Sequence, residues 1–369
     1  MAEAAAKPFR VVVLGAGFGG LEAARALARA PVEVTLIDRQ NHHLFQPLLY
    51  QVATAALSPG DIAWPVRTIF RRQRNLAVVM AEATGVDAEA RVVHAGDGLS
   101  FSYDALLLAT GSTHSYFGRD EWAPVAPGLK TIEDATDIRR RLLLAFERAE
   151  ITADEAERRR LLTFVVVGGG PTGVELAGAM VELARHAMPR EFRRINPAAA
   201  RVVLVEAGPR VLPTFPEELS AVAHRSLERM GVQVLTGTRV TRCGPAGVEC
   251  GDERIGASTI VWAAGVVASP AGAWIGAERD RLMDEATRLL REERGRAMQV
   301  AGTLGSTITQ ELKSAAQETV GAVTETVTSK AQETVQAVSG TVASKAQEAA
   351  HRVTERASEE IGHAQQGGS

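Results

Sequence analysis

Val11-Val12-Val13-Leu14-Gly15-Ala16-Gly17-Phe18-Gly19-Gly20-Leu21 is the stretch whose reading decides the fold. An apolar run without polar alternation reads as a strand buried on both faces. The residues after it fit G-x-G-x-x-G, with glycines at Gly15, Gly17 and Gly20. Leu21 to Arg29 then has helical spacing and an alanine-rich composition, and Val32 to Ile37 is a second apolar run closed by Asp38. In such a strand–loop–helix unit each glycine has a task. The first permits the tight turn, the second lets the backbone approach a pyrophosphate, and the third lets the helix pack against the strand. The helix start offers N–H groups and a partial positive charge to phosphates. The Asp38 carboxylate stands where it can accept from a ribose hydroxyl.

The pattern recurs. Phe164 to Val167 is an apolar run, Gly168-Gly169-Gly170-Pro171-Thr172-Gly173 repeats the three glycines at Gly168, Gly170 and Gly173, and Gly173 to Ala187 is helical. Val202 to Val205 is the second strand, closed by Glu206 after a longer interval taken up by residues 187–200. Further strands are expected at Ala77 to Val79, Ala105 to Leu108, Val232 to Val234 and Thr259 to Trp262, and helices at Ile138 to Arg160 and Glu217 to Met230. This alternation is the α/β class, with two Rossmann-like dinucleotide-binding units over residues 1–150 and 151–276. An acidic strand end favours a free 2′-hydroxyl, so Glu206 points to NADH over NADPH. Arg210, close by, is the residue type that accepts a 2′-phosphate.

Composition excludes several classes. Among 369 residues, 41 basic and 44 acidic side chains give a net charge of −3, which is no footprint for nucleic acid. Two cysteines make no disulfide framework and suit a reducing compartment. Cys243 and Cys250 flank a glycine-containing turn and read as free thiols. No leader sequence is recognised and no apolar run reaches the ~18 residues that cross a bilayer, so a cytoplasmic location is expected. His42 and His43 have no carboxylate or cysteine cluster at ligand spacing, so no metal site is expected and they read as structural. Residues 277–369 hold no Phe, Trp, Tyr, Pro or Cys. Ser-Lys-Ala-Gln-Glu occurs at Ser329 to Glu333 and again at Ser344 to Glu348, above a weak apolar stripe, so this stretch reads as a long, low-complexity helical tail.

Two glycine loops with Ala109-Thr110-Gly111 between them resemble the two-dinucleotide flavoprotein plan, with FAD on the first unit and a nicotinamide on the second. The resemblance narrows on particular segments. His43-Leu44-Phe45-Gln46-Pro47-Leu48-Leu49-Tyr50-Gln51-Val52-Ala53-Thr54, the run from Ala109 to Gly118, Val205 to Arg210, and Val261 to Val266 are similar to the type II, non-proton-pumping NADH:quinone oxidoreductases. The flavin disulfide reductases carry a redox cysteine pair soon after the first acidic strand end; Asp38 to Ser58 contains no cysteine.

The resemblance implies an enzyme in which hydride passes from NADH to FAD and electrons pass to a quinone. It implies that Glu175, Gln46 and Pro47 stand by the reacting rings, and that Gly15, Gly17, Gly20, Asp38, Thr110, Gly111, Gly168, Gly170, Gly173 and Glu206 bind the cofactors. It runs from about Phe9 to Ile275. The family's returning strand with its Gly-Asp and its C-terminal quinone and membrane region are not recognised after Glu278, so an incomplete FAD unit is expected. Peripheral contact with the cytoplasmic face of a membrane and self-association through the tail are further expectations. Two other classes stay open on the residues alone: a reductase with another acceptor, and a non-enzymatic interaction protein that works through its tail.

Overall fold

Both glycine loops leave strands whose apolar runs are buried as their composition requires. Val11 to Leu14 in β1 (Phe9–Leu14) are buried, and so is every residue of the equivalent strand Thr163–Val167. The computed structural model describes residues 7–189 and 191–276. In chain order, β1 is followed by α1 (Phe18–Ala26), β2 (Val32–Asp38), β3 (Leu76–Met80), β4 (Ala105–Leu108), α2 (Ile132–Ile151) and α3 (Glu155–Leu161). The second unit comprises β5 (Thr163–Val167), α4 (Pro171–Glu182), β6 (Arg201–Val205), α5 (Glu217–Met230), β7 (Val232–Leu235) and β8 (Thr259–Trp262).

The two parallel sheets have the same topology. The first is ordered β3-β2-β1-β4, with Val12 beside Thr35 and Leu106; the second is ordered β7-β6-β5-β8, with Val165 beside Val203 and Ile260. Each loop therefore leaves a central strand whose neighbours on both sides are β strands. In the first sheet β4 has no further strand on its outer edge among the described residues, and Leu107 is exposed, whereas β8 is buried throughout.

One face of each sheet is packed by helices and the other by an antiparallel ribbon. In the first unit α1 covers one face through Leu21 and Ala24. Ala83–Asp87, Val92–Ala95 and Ser100–Ser102 cover the other, where Val93 and Tyr103 meet Val12, Leu14 and Ile37. In the second unit Arg242–Gly244, Gly247–Cys250 and Glu253–Gly256 bring Cys243, Val248 and Ile255 onto Val165, Val203 and Val205. These ribbons are absent from the sequence reading. Without them the second faces would be left in water, at a cost of about 1.5–3 kcal/mol for each large apolar side chain.

The helix expected over Ile138 to Arg160 is two helices. Thr131 caps α2 in a capping box with Asp134, and Asp154 accepts from Ala156 and Glu157 N–H to start α3. Along α2, Ala135, Ile138, Leu142, Ala145, Phe146 and Ala149 form one buried stripe. That stripe enters a core shared with Leu49 and Val52 from the first unit and Phe164, Leu176 and Met180 from the second. The tail expected over residues 277–369 lies outside the described residues. Among the described residues no helix is long and apolar enough to cross a membrane.

Candidate functional site

The two loops have nearly the same backbone. Gly15 and Gly168 have φ of +101° and +109°, a left-handed conformation that favours glycine. A Cβ at Gly15 would collide with the Ala109 carbonyl, and one at Gly168 with the backbone of Ala263 and Ala264. Gly20 and Gly173 pack with no room to spare: a Cβ at either would collide with the carbonyl of the loop's own first glycine. Gly17 and Gly170 differ from these. They are the N-caps of α1 and α4, with φ/ψ of −71°/−170° and −72°/−179°, and a Cβ at either meets nothing within 4 Å. Open space thus lies above the middle glycine of each loop.

Neither helix start is closed by a side chain, although α2 and α3 both are. The N–H groups of Phe18 and Gly19, and of Pro171's successors Thr172 and Gly173, are therefore oriented for an anion rather than consumed by a cap. The space and the N–H groups together fit a dinucleotide diphosphate at each loop.

The acidic strand ends are tied to the loops. Asp38 Oδ2 accepts from Ala16 N–H at 2.6 Å and Oδ1 from Gln40 N–H at 2.7 Å. Glu206 repeats this, with Oε2 on Gly169 N–H at 2.6 Å and Oε1 on Gly208 N–H at 2.5 Å. A carboxylate has about four lone-pair sites, so each keeps capacity for a ribose hydroxyl. Arg210 is committed elsewhere: its guanidinium donates to Pro213 O at 2.9 Å, Phe215 O at 3.1 Å and Ser220 Oγ at 3.3 Å.

Thr110 and Gly111 stand exposed just beyond β4 and beside Gly15. Their counterparts after β8 are Ala264 and Gly265, which lie in the Val261 to Val266 segment but were not read as site residues. The signal was present, since Ala109-Thr110-Gly111 and Ala263-Ala264-Gly265 both follow a fourth strand. The two segments meet. Ser112–His114 pairs antiparallel with Val266–Ala268, Ser115 N–H donates to Gly265 O and Ser269 N–H to Gly111 O, both at 3.1 Å. This ribbon joins the carboxyl ends of the two sheets, where open α/β sheets bind ligands. Trp262 reinforces it, its Nε1–H on Ser115 O at 2.8 Å and its ring stacked on Tyr116 at 5.3 Å.

Gln46 and Pro47 are exposed in a short turn (Gln46–Leu48) that lies against the first loop, because Phe18 packs edge-on to Phe45 at 5.6 Å. Gln46 donates to Lys130 O at 3.3 Å, and Lys130 Nζ donates to Ser112 Oγ at 3.1 Å, so the turn is linked to the ribbon. Asp134 secures this link, accepting from Lys130 N–H, Thr131 N–H and His114 Nε2. Desolvation pulls the Asp134 carboxyl upward, but these hydrogen bonds outweigh it and hold it below its ordinary value. Glu175 lies on α4, one turn beyond the second loop, and desolvation raises its carboxyl above the usual range. No hydrogen bond joins Glu175 to Gln46 among the described residues. No cluster of three metal-ligating side chains is present among them either.

The model of the family described as pyridine nucleotide-disulphide oxidoreductase matches residues 9–302. The chain belongs to this family. The match continues past Ile275, where the resemblance of the segments was expected to end. Within the pyridine nucleotide-disulphide oxidoreductases, the chain is 49% identical over 292 residues to the type II NADH:quinone oxidoreductase NdhA of Mycobacterium tuberculosis, covering 77% of this chain and 62% of that protein. The Ndh protein of the same organism, also named as a type II NADH:quinone oxidoreductase, is 45% identical over 289 residues, covering 76% and 62%. The chain thus spans less than two thirds of the length of these relatives. The NDH2 structure from Plasmodium falciparum in complex with NADH shares the fold with a TM-score of 0.68 at 22% identity, over 73% of this chain and 57% of that one.

Proposed function

We propose that the protein is a non-electrogenic NADH:quinone oxidoreductase that holds FAD at the Gly15–Gly20 loop and NADH at the Gly168–Gly173 loop. FAD, when bound, supplies a ring that takes a hydride and passes electrons onward. The observation that carries the reading is the ribbon between Ser112–His114 and Val266–Ala268, which ties together the ligand-binding ends of two matching dinucleotide units. The chain's own residues bind and orient. Gly17 and Gly170 leave room for diphosphates, Asp38 and Glu206 face riboses, and Thr110 and Gly111 close the floor beside the first loop. Arg210, held by three other partners, leaves Glu206 to select NADH over NADPH. Glu175, Gln46 and Pro47 border the space where the rings meet. The raised Glu175 carboxyl is suited to hold a proton there.

A quinone suits the acceptor role better than a disulfide. The only cysteines are Cys243 and Cys250, unpaired on the ribbon behind the second sheet, and burial pushes the Cys243 thiol up to about 12. The similarity to two proteins named as type II NADH:quinone oxidoreductases supports the same choice. The reading carries with it residence at the cytoplasmic face of a membrane, and self-association through residues 277–369. The test is NADH oxidation by purified, FAD-loaded full-length protein with a soluble quinone. Quinone-dependent turnover is expected. Flavin-containing protein that oxidises NADH with a dye but not with quinones would leave a reductase of another acceptor.

A further inference from the structure

In both glycine loops the residue between the first two glycines is clamped at both ends of its peptide units. Gly169 donates its N–H to Glu206 and accepts at its carbonyl from Leu212 N–H at 2.7 Å. Ala16, at the same loop position, donates its N–H to Asp38, but its carbonyl meets a side chain: His43 Nδ1 at 2.8 Å. A backbone amide from the following loop serves the second unit, and an imidazole 27 residues away serves the first. The carbonyl can only accept, so His43 Nδ1 must carry the proton. The ring is set for that task. It sits on the short strand His42–Leu44, paired with Ala63–Pro65, and Phe18 packs against it edge-on at 5.0 Å. Neighbouring His42 does not share the contact; its Nδ1 meets Asn41.

We infer that His43 is a positioning residue of the first loop. Its Nδ1–H holds the Ala16 carbonyl back from the open side, so that the N–H groups around Gly17 face a diphosphate without a competing oxygen. An unheld carbonyl turned toward that space would repel phosphate oxygens and would leave a largely buried acceptor unpaired. The inference rests on the reading that this loop takes FAD, and it assigns to His43 a role toward that ligand which the sequence did not reveal.

The test is titration of flavin-stripped full-length protein with FAD, followed by flavin fluorescence, for wild type, His43→Leu and His43→Asn. The Asn amide nitrogen stands where Nδ1 stands and restores a donor; Leu does not. His43→Leu is expected to bind FAD about three- to tenfold more weakly, the loss of roughly one hydrogen bond. His43→Asn should recover most of this, with NADH binding at the other loop unchanged in both. Equal FAD affinity in His43→Leu and wild type overturns the inference. Equal weakening by Leu and Asn does so too, because it makes the residue a matter of packing alone. Wild-type protein that takes up no FAD overturns the underlying reading, and this inference with it. Should His43→Leu fail to fold, nitrogen NMR of the wild-type imidazole decides: an Nδ1–H tautomer supports the clamp, and an Nε2–H tautomer refutes it.

Discussion

Gly17→Ala separates folding from binding. The residue has φ −71° and ψ −170°, open to any L-residue, and its added methyl group meets nothing within 4 Å. The folding cost is that of exchanging glycine for alanine at an N-cap, about 1 kcal/mol, or a Tm drop of about 2–4 °C for a body of this size. Binding should respond far more. The methyl group fills the space where phosphate oxygens would lie some 3 Å from the loop's N–H groups. Losing one charge-assisted hydrogen bond costs about 1.5–3 kcal/mol, which is about 10- to 150-fold in FAD affinity. Gly170→Ala is the matched case, with φ −72° and ψ −179° and equally open space, and it should weaken NADH binding while sparing FAD. Gly20→Ala is the contrast, since its methyl group runs into the Gly15 carbonyl and should cost stability before it affects any ligand. The assay pairs thermal unfolding with separate FAD and NADH titrations. Wild-type FAD affinity in Gly17→Ala, or a collapse of Tm equal to that of Gly20→Ala, refutes the reasoning.

Four other outcomes are expected. Glu206→Gln removes the charge and one acceptor at the second ribose, so the preference for NADH over NADPH should narrow by about tenfold in kcat/KM. Arg210→Met should lower Tm and leave that preference alone, because the guanidinium holds Pro213 and Phe215 carbonyls; a shift in preference would place Arg210 at the 2′ position after all. Asp134 is held below its ordinary range, so it takes up its proton later in the folded than in the unfolded chain. The stability it contributes is present above about pH 4 and lost as pH falls. Asp134→Asn should flatten the acid limb of Tm against pH, and a limb parallel to wild type contradicts this. Cys243 should resist alkylation at neutral pH, and a Cys243→Ala, Cys250→Ser protein should keep NADH:quinone turnover; lost turnover in a folded, flavin-bearing protein would implicate a thiol.

The loops were legible because their demands are local. Gly15 and Gly168 turn the chain with a positive φ, and Gly20 and Gly173 sit against the carbonyl of the loop's own first glycine, so these demands act within a few residues. The parallel strands were legible because burial on both faces leaves continuous apolar runs. The ribbons were not. Ser112–His114 and Val266–Ala268 are three residues each and pair across more than half of the described chain, so no local period announces them. The break at Thr152 to Asp154 did have a signal in the Asp154 cap, but the charged run on either side reads as one helix. His43 was read as structural because ligand spacing was sought, and a single hydrogen bond to a carbonyl 27 residues away has no spacing rule. Glu206 follows the end of β6 as read despite its long interval, which includes the π-type turn Leu183–Ala187 and the Arg193, Arg194 and Ile195 N–H groups held by Glu150.

The central claim is that one chain brings two dinucleotides to the ribbon at which its sheets meet. Anaerobic addition of NADH to the FAD-loaded, full-length protein tests it most directly, with the visible flavin absorbance as the readout. The account predicts stoichiometric loss of that absorbance within the mixing time of a turnover experiment, restored when quinone is added. A protein that holds FAD and binds NADH yet keeps its oxidised flavin spectrum indefinitely would contradict it.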